Sequence, residues 1–268
     1  MFRRVAYLTV LAGLVGVLGG CAMSFLRFET RAAWRDVEEQ ACMAAPTGLT
    51  PVKYTPLPRV EGRGACGIYS PLLVAGLNDG YVALTPGPTI GCPMAAALDA
   101  WLTRSVQPAA LAWFGLTVVE IQELDAYSCR PVNNVPGEKL SEHAFGNAID
   151  IAGFRLANGR LVTVKRDYRF GDRRARGFLR EIFAAACAQF KTALGPGERN
   201  HEDHFHLDLA HHNADGTSRY CNPQLGVTPP VREPFAGPSV ASSAVLPGVR
   251  TILGIDRHTA SLPWTPGN

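Results

Sequence analysis

The sequence predicts an α+β domain in which a small, mainly antiparallel sheet is flanked by helices. Three observations carry this reading. Apolar residues recur at helical spacing near the N-terminus and again beyond residue 172, whereas LTVVEIQ, residues 116–122, is a β-branched run of strand length. In LSEHAFGNAIDIAGFRLANGRLVTV two apolar runs flank Ala157, Asn158 and Gly159, the pattern of a β-hairpin. Helices and strands that come in separate stretches, without strict alternation, point to α+β architecture.

Each element follows in order. The opening MFRRVAYLTVLAGLVGVLGGC joins Arg3 and Arg4 to an apolar run of roughly 14 residues and then to small residues, the grammar of an export signal. The run is too short for a comfortable membrane span. Residues 1–20 are therefore read as a signal peptide. Residues 29–43 form a helix with Ala33, Trp34, Val37 and Ala41 on its apolar face, and Pro51, Pro56 and Pro58 then mark a loop or extended edge. Together 21–59 make an N-terminal helix and linker.

The domain proper is placed at 60–222. YVALTPGPTIGCP reads as a short strand and turn, and MAAALDAWLTRSV as a helix with Pro93 near its first turn. The buried strand 116–122 and the hairpin come next. RARGFLREIFAAACAQFKTAL has a strong helical period, ended by GPG at 195–197. Residues 223–268 are dense in Pro, Gly, Ser and Ala and are expected to be a disordered tail.

Composition narrows the function. At 268 residues and 47% hydrophobic, the chain can bury a full core. Loss of the first 20 residues removes two arginines and no acid, leaving 24 basic against 23 acidic residues. That balance excludes a nucleic-acid partner. A monomer is expected. With Cys21 set apart, Cys42, Cys66, Cys92, Cys129, Cys187 and Cys221 remain, an even set that in an oxidising compartment reads as three disulfides. Of the 15 connectivities possible for six cysteines, the preferred one joins Cys66 to Cys92, Cys187 to Cys221 and Cys42 to Cys129. No CxxC pair supports a cysteine metal site.

The chemistry concentrates in HEDHFHLD, residues 201–208. Read as a strand, it sends His204, His206 and Asp208 to one side and Phe205 and Leu207 to the other. NAIDIAGF behaves alike, with Ile149 and Ile151 toward a core and Asp150 on the opposite face. His143 precedes Asp150 by seven positions, and Gly146 allows a tight bend between them. The set His143, Asp150 and His206 is that of a catalytic zinc, which keeps its fourth position for water. Competing hydrolase patterns are missing, since the chain has neither GxSxG nor SxxK. Cys129 near His143 is more simply an oxidised cysteine than a nucleophile. His201 is the remaining histidine best placed to line a cleft, while His211 and His212 read as a solvated loop.

These residues also carry resemblances. His143 to Asp150 is H-x6-D and His204-Phe205-His206 is H-x-H, a pair that resembles the motifs of the LAS metallopeptidases, named for lysostaphin, D-alanyl-D-alanine metallopeptidases and sonic hedgehog. The longer strings YSCRPVN, LSEHAFGNAIDIAGF and HEDHFHLD resemble the extensin-like C-terminal domain family of bacterial envelope proteins. The resemblance implies an LAS-like sheet with one zinc ion on His143, Asp150 and His206, and places His204 and Asp203 where related enzymes hold the catalytic base. Arg130, 13 residues before His143, resembles the arginine with which related DD-peptidases hold a substrate oxygen or carboxylate. Leu18, Gly19, Gly20 and Cys21 resemble a lipobox, implying a lipoprotein anchored through Cys21 on the periplasmic side of a bacterial membrane.

The expected function is accordingly a zinc-dependent peptidoglycan hydrolase, a DD-endopeptidase or DD-carboxypeptidase acting on stem peptides or crosslinks. The alternative is a non-catalytic wall-binding or structural envelope lipoprotein that retains the zinc site.

Overall fold

The computed structural model describes residues 29–45 and 52–224. The signal-like segment, Cys21 and the tail beyond residue 224 lie outside the described residues. In chain order the elements are α1 (Ala33–Ala44), β1 (Lys53–Pro56), β2 (Val60–Glu61), β3 (Gly67–Ile68), β4 (Pro71–Leu77), β5 (Val82–Thr85) and β6 (Thr89–Gly91). There follow α2 (Cys92–Trp101), a π turn (Leu102–Val106), α3 (Gln107–Phe114), β7 (Val118–Asp125), β8 (Ala148–Leu156) and β9 (Leu161–Thr163). Last come α4 (Val164–Phe170), α5 (Arg173–Gln189), β10 (Thr192–Leu194), β11 (Phe205–Asp208) and β12 (Tyr220–Asn222).

The architecture is α+β, and the sheet is mostly antiparallel. Ten strands form it, in the order β1-β4-β5-β7-β8-β11-β10-β12, with β6 beside β4 and β9 beside β8. It is larger than expected, and mixed, because β5 with β7 and β10 with β12 run parallel. Among the described residues no helix is long and apolar enough to cross a membrane.

One face of the sheet packs on the helices. In α5 the buried residues Ala175, Phe178, Leu179, Ile182, Phe183 and Ala186 recur at helical spacing, and the Asp172 carboxylate caps the helix by accepting from the Ala175 N–H at 2.8 Å. Phe183 meets Phe205 of β11 at 4.9 Å, and Trp101 of α2 lies edge-on to Phe154 of β8. Phe205, Leu207, Ile149 and Ile151 are fully buried on this side. Each contributes about 1.5–3 kcal/mol by leaving water. Together they set the register of β8 and β11, because a slip of one residue would drive their polar neighbours into the core.

Several expectations are corrected. The long helix ends at Gln189, and Thr192–Leu194 pairs with β11 as a strand, so strand pairing overrides the helical bias of KTAL. The helix through MAAALDAWLTRSV continues to Phe114. Its π turn lies directly ahead of Pro108, whose ring and missing N–H cannot join a regular turn. Gly115, at φ 68°, then closes it in the left-handed conformation.

Two disulfides also differ. Cys187–Cys221 forms as expected, but the others are Cys42–Cys92 and Cys66–Cys129, not Cys66–Cys92 and Cys42–Cys129. Cys42 on α1 faces the first residue of α2, while Cys66–Cys129 fastens the β2–β3 turn to the segment carrying Arg130. Finally, α1 presents the opposite face. Val37 is 67% exposed whereas Arg35 and Glu39 are buried, because the helix docks by ion pairing and not by its apolar stripe. This helix and β1, which pairs with β4, are packed into the same body as the residues that follow.

Candidate metal centre

Asp150 and His206 are direct partners in the antiparallel β8–β11 pair, so their side chains stand together on the face turned away from the helices. His143 arrives from a 3-10 turn, Glu142–Phe145, just before β8. Gly146 ends that turn at φ 63°, and a Cβ there would stand 2.3 Å from Ile68 Cδ1. Only glycine lets the chain reverse there and deliver His143 onto Asp150.

The three ligand atoms converge. His143 Nε2 is 3.1 Å from His206 Nδ1 and 3.2 Å from Asp150 Oδ1, and His206 Nδ1 is 2.9 Å from Asp150 Oδ1. Among the described residues, this is the trio of His, Cys or acidic side chains with ligand atoms close enough to share an ion. All three side chains are buried.

The far side of each imidazole is fixed. His143 Nδ1 donates to the Ala126 carbonyl at 2.7 Å, which leaves Nε2 as the nitrogen facing the centre. His206 Nε2 donates to Asp208 at 3.0 Å, and Asp208 in turn accepts the Ala210 N–H at 2.9 Å. Such outer partners set the tautomer and orientation of metal-binding histidines. The donor set therefore fits zinc: two nitrogens and one oxygen, pre-oriented, with separations near the roughly 3.3 Å expected around a tetrahedral ion.

Protonation follows the same contacts. Burial opposes a charge on His206, yet Asp150 and Asp208 raise it to about 10. Burial likewise opposes ionisation of Asp150, but hydrogen bonds from His143 and His206 hold it well below the ordinary carboxylate range. Behind the site, burial and then Asp125 and Asp150 push Glu123 up to about 7. The stabilisation from a raised histidine is complete below its unfolded value of about 6.5 and disappears as pH climbs through 10. That from a depressed aspartate is complete above about 3.8 and is lost in acid. With Glu123, whose raised value costs stability progressively above about pH 4.5, the metal-free protein should be most resistant to denaturant between about pH 4 and 5 and should weaken on both sides. A urea midpoint that rose steadily from pH 6 to 10 would contradict this.

The remaining expected residues take distinct places. His204 Nδ1 bonds Asp203 Oδ1 at 2.9 Å, and its Nε2 lies 3.6 Å from Asp150 Oδ1. Asp203 is about half exposed and reaches the centre only through His204, whose hydrogen bond lowers its pKa. Arg130 donates to Asp125 at 3.1 Å, and the same carboxylate oxygen is 3.9 Å from His143 Nδ1. His201 is held by the Arg199 carbonyl at 2.8 Å, and burial lowers its pKa.

All three ligands open into one cleft of about 530 Å³, with Arg130, Lys139, Glu198, His201, His212 and Tyr220 among its walls. His212 is exposed in a loop, as expected, whereas His211 beside it is only partly exposed. His212 lies on the cleft and bonds Thr192 Oγ1 at 2.9 Å, while His211 stacks on Trp34. Asp125 and the Ala126 carbonyl were not foreseen. Their only signal was position, at the end of a strand leading toward Arg130.

Neither a curated protein nor a solved structure matches the chain. A family model described as "Extensin-like protein C-terminus" matches residues 40–222. The match includes every residue of the centre and more than half of the chain, so this protein belongs to the extensin-like protein C-terminus family.

Proposed function

We propose that the protein is a zinc-dependent peptidase of the LAS type that hydrolyses peptide bonds in peptidoglycan stems or crosslinks, as a DD-endopeptidase or DD-carboxypeptidase. The observation that carries this reading is the convergence of His143, Asp150 and His206 at the floor of an open cleft with a fourth polar group, His204, at their edge. The signal and lipobox patterns support a periplasmic location, with anchoring through Cys21, where such peptides are found.

His143, Asp150 and His206 would hold the zinc. When bound, zinc supplies Lewis acidity that polarises a carbonyl and makes water acidic enough to react near neutral pH. The protein provides the rest. His204 Nε2 takes the proton from the attacking water and returns it to the leaving amine, while Asp203 at Nδ1 keeps the ring in the tautomer that leaves Nε2 free to accept. Arg130, steadied by Asp125, turns its remaining N–H groups to the substrate carbonyl oxygen or a terminal carboxylate. The cleft walls keep the acyl group in place through both proton transfers.

Incubation of the protein with crosslinked muropeptides, with and without chelator, tests the reading. Cleavage that chelator abolishes and zinc restores is expected. A zinc-loaded protein that releases no product over prolonged incubation would overturn hydrolysis and leave wall binding as the function.

A further inference from the structure

We infer that helix α1 positions the metal centre from outside, Arg35 acting on His143 through Glu142, and Trp34 and Glu38 acting through His211 on the segment that follows His206. The inference rests on the metallopeptidase reading above and adds a part to it that lies before the residues matching the family.

A buried guanidinium is costly unless it is paired. Arg35 nevertheless turns inward from α1 while Val37 faces water. Its Nη1 and Nη2 donate to the two oxygens of Glu142 at 2.5 and 2.7 Å, and its Nε is buried without a partner, so the bidentate pair carries the compensation. The guanidinium also lies 3.9 Å from the centre of the Phe145 ring and 4.3 Å from that of Trp34. Glu142 immediately precedes His143, and Asn147 donates to it at 2.7 Å across the turn. The short turn that delivers His143 is thus gripped on its outer side by Arg35.

The second attachment runs from the same helix to a different segment. Trp34 stacks on His211 at 3.8 Å with the rings 7° from parallel, and His211 Nε2 donates to Glu38 at 3.0 Å. His211 stands three residues beyond Asp208, the carboxylate that holds His206. One helix therefore grips both segments that bring the histidine ligands together. Its own position is set by the Cys42–Cys92 disulfide and by Glu39, which accepts the backbone N–H groups of Tyr69 and Ser70 at 3.0 and 2.9 Å. Bidentate pairing makes the geometry directional in a way lysine cannot reproduce.

The test compares full-length wild type with Arg35→Met, Arg35→Lys, Glu142→Gln and Trp34→Ala, with exposed Gln40→Ala as a control. Metal affinity is measured by competition with a chromophoric chelator where every variant is folded, and the Co(II) absorption spectrum reports the shape of the site. Arg35→Met is expected to weaken metal binding, by less than the roughly 10–100-fold cost of losing a direct hydrogen-bond partner of a ligand. Arg35→Lys should recover part of this, and the Arg35→Met/Glu142→Gln double variant should bind no worse than either single one. Trp34→Ala should weaken binding separately, and it keeps the question open to test if Arg35→Met fails to fold. Wild-type affinity and an unchanged Co(II) spectrum in both Arg35→Lys and Trp34→Ala would overturn the inference alone. A wild-type protein that binds no metal would overturn the metallopeptidase reading beneath it.

Discussion

Replacement of His206 with alanine is expected to remove metal binding and peptidase activity together and to lower the stability of the metal-free fold. His206 is the register partner of Asp150 and hydrogen-bonds Asp208 through its other nitrogen. Without the imidazole, the buried carboxylates of Asp150 and Asp208 lose the donor they share, leaving His143 beside the one and the Ala210 N–H on the other. Breaking a buried ionic pair by deleting one partner costs about 3–5 kcal/mol, and a domain's whole stability is only about 5–15 kcal/mol. His206→Asn separates the two effects, since it keeps a donor near Asp150 but offers no imidazole nitrogen to a metal. Metal analysis after zinc loading and thermal melting of the apo-proteins read them out. Stoichiometric zinc with wild-type affinity in His206→Ala would remove this residue from the ligand set.

His204→Ala should have the complementary outcome, with metal retained and turnover lost by about 10²–10⁴-fold, the usual contribution of a positioned acid–base group. The three convergent donors are untouched by the change. Asp203→Asn should cost less, because its amide oxygen can still accept from His204 Nδ1 while the negative charge is gone. Turnover of His204→Ala on muropeptides at the wild-type rate would end its role as base. Loss of zinc from the same variant would make it a ligand instead.

How much of this was legible in the sequence varied with the range of the interactions. Alternation along NAIDIAGF and HFHLD separated ligands from core residues, and the fully buried Ile149, Ile151, Phe205 and Leu207 agree with it. The hairpin at Ala157, Asn158 and Gly159 was equally plain, as β8 and β9 pair across it. These features depend on neighbours one to four residues away. Helix α1 formed as expected, but the face assigned to it failed on the same local logic. Its alanines and Val37 make an apolar stripe, but Arg35 found a distant ionic partner in Glu142, and Glu39 found the backbone N–H groups of Tyr69 and Ser70, and these outweighed it.

By itself, then, the sequence determined the α+β class and the face on which each candidate ligand stands, because side-chain direction follows from backbone periodicity. Only the tertiary structure decided that Asp150 and His206 are partners across β8 and β11, that Cys42 meets Cys92 and Cys66 meets Cys129, and that Arg35 of α1 pairs with Glu142. Chain closure brings these groups together over tens of residues, and its cost grows only slowly with loop length. Many pairings are therefore nearly equal in entropy, and the packing of the whole core chooses among them.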